Sequence, residues 1–196
     1  MPAGGWEPPS HPPDWGEEPC TQRNRPYCAR NQKPPPVGGG GRGLQTPYYD
    51  REGRLVGVQN RNLVRGALPR FRFSAGSECG IYNLPVLNLL KPGEMLFITE
   101  GCSDCWAMLS AGHKAIAIPS ATLLKRKDVE FLSTLNAKLS TGFAMFPDRD
   151  APGERLFLQL REVLPSLVHH QLPSDCKDFS EYYLQTKTKA KTPDIQ

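Results

Sequence analysis

Two short acidic clusters are the residues of this chain best suited to chemistry. One is Glu100-Gly101-Cys102-Ser103-Asp104 and the other is Asp148-Arg149-Asp150, with Asp175, Lys177 and Asp178 following further on. Carboxylates crowded together repel unless a proton or a cation compensates them. Hard oxygen ligands suit Mg²⁺, which is typically held by one or two carboxylates plus water and phosphate oxygens. In a D-x-D segment that stays extended, both carboxylates point the same way. The plainer alternative makes each acid a solvated loop residue, or makes Asp148 or Asp150 the cap of a helix starting near Pro152. Taken together, the clusters favour a divalent-metal site.

Two further groups invite a chemical reading. Cys102 and Cys105 form a C-x-x-C pair, and a helix N-terminus there would lower a thiol pKa, as in thioredoxin-like proteins. That reading leaves Glu100, the D-x-D pair and the arginines unexplained. The arginines are Arg51, Arg54, Arg61, Arg65, Arg70 and Arg72, all between residues 51 and 72. Guanidinium groups pair bidentately with phosphates, so this stretch suits a nucleotide or nucleic acid, or else is a solvated sheet face.

The elements that must position these residues follow from pattern. Thr46 to Asp50, a turn at Glu52-Gly53, and Leu55 to Leu63 read as strand, turn, strand, with a third strand through Arg70 to Phe73. Strand and helix then alternate. Met95 to Ile98, Ala115 to Ile118 and Phe143 to Phe146 are short apolar strands, and Val168 to Leu172 is a weaker fourth. Helical spacing covers residues 102–112, 126–139 (Val129, Leu132, Leu135 and Leu139 forming the apolar stripe) and 152–163. Such alternation predicts a parallel α/β sheet with right-handed crossovers. Ligands of such sheets bind beyond the carboxyl ends of the strands, and that is where the acids fall.

Composition bounds the rest. The chain has 196 residues, a net charge of +4, 20 prolines and 18 glycines. Eleven of those 20 prolines lie in the first 50 residues, so residues 1–45 are expected to be a disordered arm. Cys20 and Cys28 within it lack zinc-ligand spacing. A Lys/Thr-rich tail, residues 185–196, is expected to be disordered as well. No export signal or membrane-length apolar run is visible, so a cytoplasmic protein with reduced thiols is expected. There is no G-x-x-x-x-G-K-[ST], which excludes a P-loop.

At the residue level the chain resembles a known family. Phe97-Ile98-Thr99-Glu100-Gly101-Cys102-Ser103-Asp104 resembles the first toprim motif, an apolar strand ending in E-G-x-x-D. Phe146-Pro147-Asp148-Arg149-Asp150-Ala151-Pro152-Gly153 resembles D-x-D-x-A-G with one residue inserted, and Lys177-Asp178 resembles the last acidic motif. Upstream, Tyr49 to Gly57, Arg61-Asn62-Leu63, Pro69-Arg70-Phe71 and Ile81-Tyr82-Asn83 are similar to the β-rich subdomain before toprim in DnaG-type bacterial primases.

The resemblance implies an α/β toprim fold, a roughly four-stranded parallel sheet flanked by helices (residues 94–184), preceded by a small antiparallel β subdomain (residues 46–93). It implies Mg²⁺ or Mn²⁺ held by Glu100, Asp148 and Asp150, with Asp104 and Asp178 in support, and Glu100, Asp148 and Asp150 as the catalytic set. Arg61, Arg65, Arg70, Arg72 and Lys177 would contact nucleotide or template. The implied activity is nucleotidyl transfer in RNA primer synthesis, with single-stranded DNA template and nucleoside triphosphates as partners and a replicative helicase as a further one. Ser180 stands where the family has a second acid after the Asp178 position. With the residue inserted at Pro152 and no zinc-binding module recognisable before the core, that departure leads to the expectation of an accessory or truncated member from a mobile element. Its rivals are a non-catalytic nucleic-acid-binding protein with this fold and a toprim nuclease.

Overall fold

The structure is a computed structural model that describes residues 43–66, 68–77, 79–120, 124–138 and 142–191. The expectations for residues 1–42, for Cys20 and Cys28, for Leu139 and for residues 192–196 lie outside the described residues.

An antiparallel sheet comes first. Strand β1 (Gly43–Tyr49) pairs with β2 (Leu55–Asn62), which pairs with β3 (Phe71–Phe73). The first turn closes through Gly53, at φ 81°, and the Gly53 N–H donates to Asp50 O at 3.0 Å. A 3₁₀ helix (Leu84–Leu89) leads from this sheet into the second unit.

The second unit is a four-stranded parallel sheet in the order β5-β4-β6-β7. Its strands are β4 (Met95–Glu100), β5 (Lys114–Ile118), β6 (Gly142–Met145) and β7 (Val168–His169). Between and after them run α1 (Gly101–Ser110), α2 (Arg126–Lys138), α3 (Ala151–Val163) and α4 (Phe179–Lys191). This is the predicted α/β architecture, with a β subdomain ahead of it.

Strand periodicity explains which helix covers which face. Large side chains of β4, β5 and β6 (Leu96, Ile98, Ile116, Ile118, Phe143 and Met145) join Leu132 and Leu135 of α2 and Leu156, Phe157 and Leu160 of α3 in one core. The intervening residues, Phe97, Ala115, Ala117 and Ala144, face α1 and α4, meeting Cys105, Ala107, Met108 and Phe179. Alanines on that face let α1 lie close to the sheet. Each fully buried large side chain contributes about 1.5–3 kcal/mol relative to exposure.

The two units are joined by Tyr48 and Tyr82. The Tyr82 N–H donates to Ala117 O at 2.8 Å and the Ala117 N–H returns a bond to Tyr82 O at 3.2 Å, which covers the open edge of β5. Tyr48 is fully buried, with its ring centroid 5.1 Å from Phe73 and 5.2 Å from Tyr82.

Two expectations about extent need correction. The predicted fourth strand reaches Leu172, but the structure has strand only at Val168–His169. Beyond it the sheet continues as a single bond from the His170 N–H to Met145 O at 2.8 Å. Residues 185–191, expected in a disordered tail, continue α4 as helix, because Phe179, Tyr182 and Tyr183 anchor its start against α1 and the sheet. Among the described residues no helix is long and apolar enough to cross a membrane.

Candidate metal and nucleic-acid site

Glu100 ends β4 and is the N-cap of α1, and Gly101 at φ 79° makes the turn between them. Asp104 lies one turn into α1, where it is 4% exposed. On the neighbouring strand, β6 runs into Phe146, Pro147 and Asp148. The strand order thus places Glu100 and Asp148 at the carboxyl ends of adjacent strands, β4 and β6.

These acids lie near enough to act on one another's charge. The Asp148 carboxyl is pushed up to about 8, first by burial and then by the negative charges of Asp104, Glu100, Asp178 and Asp150. Asp104 is pushed up to about 6, again first by burial, with Asp178 and Glu100 adding to the rise and Ser180 opposing it. Asp148 Oδ1 and Glu100 Oε2 are both buried atoms, and Asp148 Oδ1 accepts no hydrogen bond. A buried carboxylate oxygen without a donor, amid other carboxylates, fits a cation. Among the described residues, however, no three His, Cys, Asp or Glu side chains form a ready-made cage for one.

The other acids have taken up hydrogen-bonding roles. The D-x-D segment is not extended: the Asp150 N–H folds back onto Asp148 O at 2.8 Å. Asp150 caps α3 by accepting the Gly153 N–H at 3.0 Å, and pairs with Lys177 at 3.2 Å. Those bonds, the Gly153 one foremost, hold its carboxyl below the ordinary range. The capping alternative is thus the one Asp150 adopts, with Pro152 in the first turn of α3. Asp178 Oδ1 accepts the Glu181 N–H at 2.8 Å in the first turn of α4. Asp104 Oδ1 accepts the Ser180 N–H at 2.9 Å and the Ser180 hydroxyl as well.

Two residues that sequence reasoning did not assign to the site shape it. Ser180 stood out only as a missing acid, and nothing in the sequence showed that its hydroxyl would reach back 76 residues to Asp104. Gly153 packs so tightly that an added β-carbon would lie 2.5 Å from Asp148 O. The glycine of the D-x-D-x-A-G match was its one signal.

The thiol reading fails on burial. Cys102 is pushed up to about 11 by burial, and its sulfur bonds the Tyr48 hydroxyl at 3.1 Å. The Cys105 thiol is raised too, again by burial, and donates to Ala115 O at 3.3 Å. Both thiols are free.

The arginines divide. Arg61 of β2 lies opposite Phe71 of β3, with its guanidinium 5.8 Å from the ring centroid, and Arg70 stands 5.7 Å from the same ring. Phe71 itself is 49% exposed. Arg61 and Phe71 line a groove with Thr46 and Gln59 that runs to Gly101, Ser103 and Trp106, at the start of α1 beside Glu100. Arg72 alternates onto the other face of the sheet, and Arg65 sits exposed in the β2–β3 loop. Lys177 belongs with the acids through Asp150, not with this groove.

The fold is a four-stranded parallel α/β unit with a carboxylate rim, behind an antiparallel sheet. Solved structures with this fold include catalytic cores of primases. The Escherichia coli primase catalytic core matches at a TM-score of 0.53 and 19% identity, over 73% of this chain and 48% of that one. The Aquifex aeolicus primase, comprising zinc-binding and RNA polymerase domains, matches at 0.61 and 19%, over 76% and 38%. A DnaG primase catalytic domain bound to single-stranded DNA matches at 0.54 and 19%, over 76% and 49%. The chain therefore has the primase catalytic-core fold and spans about half or less of these solved chains. No family model and no curated protein matches it.

Proposed function

We propose that this chain is a primase-like enzyme that transfers nucleotides, using Mg²⁺ or Mn²⁺, in RNA primer synthesis on a single-stranded DNA template. The observation that carries this reading is Asp148 Oδ1, buried without a donor and surrounded by the charges of Asp104, Glu100, Asp178 and Asp150. Glu100 and Asp148 would hold the ion, with Asp178 and Asp150 near it. The chemistry supplied on metal binding is neutralisation of phosphate charge and orientation of the attacking hydroxyl and leaving group. Arg61 and Arg70 would take phosphates of the template or incoming nucleotide, and Phe71 offers a ring between them on which a base can stack. The groove from Phe71 to Gly101 would then deliver nucleic acid to the rim. In this reading residues 46–93 bind and residues 94–184 carry the chemistry.

The hydrogen bonds that occupy Asp104 and Asp150 favour a second reading, a nucleic-acid-binding protein that keeps the fold without turnover. A primer-synthesis assay on single-stranded DNA, with Mg²⁺ or Mn²⁺ and nucleoside triphosphates, separates the two. Primer formation that disappears in Asp148→Asn supports the enzyme. DNA binding with neither primer synthesis nor nuclease products supports the binding protein.

A further inference from the structure

Ser180 treats Asp104 unlike any other acid of the rim. Asp104 is the most buried of them, and both donors of Ser180 converge on a single oxygen, Oδ1, one from the backbone and one from the hydroxyl. One carboxylate oxygen offers two lone-pair positions, so two donors fill it. The two residues belong to different helices, α1 and α4, so the contact ties those helices together. A carboxylate at position 180 would repel Asp104 and would need a cation between them, whereas a hydroxyl compensates Asp104 by donating. Asp178 and Asp150 spend oxygens on helix caps nearby. Asp148 Oδ1 is buried without a donor, and the charge of Glu100 bears on it.

We infer that Ser180 is a positioning residue that occupies Asp104 Oδ1 and ties this carboxylate to α4, so the rim binds one divalent ion, on Asp148 and Glu100. The inference rests on the metal reading proposed above. It makes the α1–α4 side of the rim a structural joint and the β4–β6 side the ion site.

The test is titration of Mn²⁺ alone into the full chain, with free Mn²⁺ followed by electron paramagnetic resonance. One ion per chain is expected. Asp104→Asn keeps an acceptor for Ser180 and is expected to hold one ion with affinity within about threefold of wild type, while Asp148→Asn loses about tenfold or more. Ser180→Asp, which restores a second acid beside Asp104, is expected to bind two ions. Two ions in the wild type, or a loss in Asp104→Asn as large as in Asp148→Asn, overturns this inference and leaves the metal reading standing. No bound Mn²⁺ in the wild type overturns both. Circular dichroism melts identify any variant that has not folded, and the wild-type stoichiometry decides the matter without one.

Discussion

The α-carbon of Gly153 stands so close to Asp148 that a β-carbon built on it would lie 2.5 Å from the Asp148 carbonyl oxygen, 2.8 Å from its nitrogen and 2.9 Å from its β-carbon. Those are backbone atoms and the root of a side chain, so nothing flexible can give way. Gly153→Ala is therefore expected to destabilise the fold by about 1–3 kcal/mol, the usual range for forced overpacking. It should also displace Asp148 and weaken Mn²⁺ binding. Thermal melts and a metal titration on the same variant check both.

Gly101 offers a contrast. An added β-carbon there meets nothing within 4 Å, but φ is 79°. Gly101→Ala should cost about 1–2 kcal/mol through backbone strain alone. Because Glu100 immediately precedes the turn, relief of that strain would rotate its carboxylate. A loss of metal affinity larger than the stability change would reveal it.

The burial of Asp148, with other carboxylates around it, gives a pH signature in the absence of divalent ions. Asp148 is raised from its ordinary value to about 8, so between about pH 4 and 8 the folded state holds a proton that the unfolded state has released. Stability must then fall as pH rises across that window. The loss should be on the order of 2 kcal/mol once solvent screening of this partly exposed group is allowed for. Asp148→Asn should flatten the curve and raise the melting temperature at pH 8 by about 4–8 °C in chelator. A wild-type curve that climbs from pH 4 to 8 would contradict the burial of this acid.

For nucleic acid, the groove arginines are expected to matter unequally. Arg61→Ala and Arg70→Ala should each weaken single-stranded DNA binding and reduce the salt slope by about 0.7 for every phosphate the protein no longer neutralises. Arg72→Ala, on the opposite face of β3, should have the smaller effect. Fluorescence anisotropy over a salt series measures all three, and equal weakening would mean the groove is not the path.

The buried thiols should be silent. Cys102→Ser is expected to leave the number of thiols that react in the native state unchanged, since burial keeps Cys102 protonated and inaccessible. Labelling before and after denaturation checks it.

Most of the scaffold was legible in the sequence because its strands are short apolar runs whose alternation survives into the structure: Ile116 and Ile118 face one core, Ala115 and Ala117 the other. Glu100 and Asp148 were legible for the same reason, as acids placed where such strands end. What could not be read was direction. Asp150 has the same side chain as Asp148 and sits two residues away, yet one backbone bond to Asp148 O turns it into a helix cap. Ser180 and Asp104 meet only because α1 and α4 share a face of the sheet, and no local pattern encodes that meeting. The shortening of β7 to two residues likewise depends on what its neighbour offers, and only Ala144 and Met145 of β6 pair with it.

The pair of backbone hydrogen bonds between Tyr82 and Ala117, together with the buried Tyr48, ties the arginine-bearing sheet to the edge of the parallel sheet whose neighbouring strands end in the carboxylate rim. Moving one surface past the other would have to break those two hydrogen bonds first.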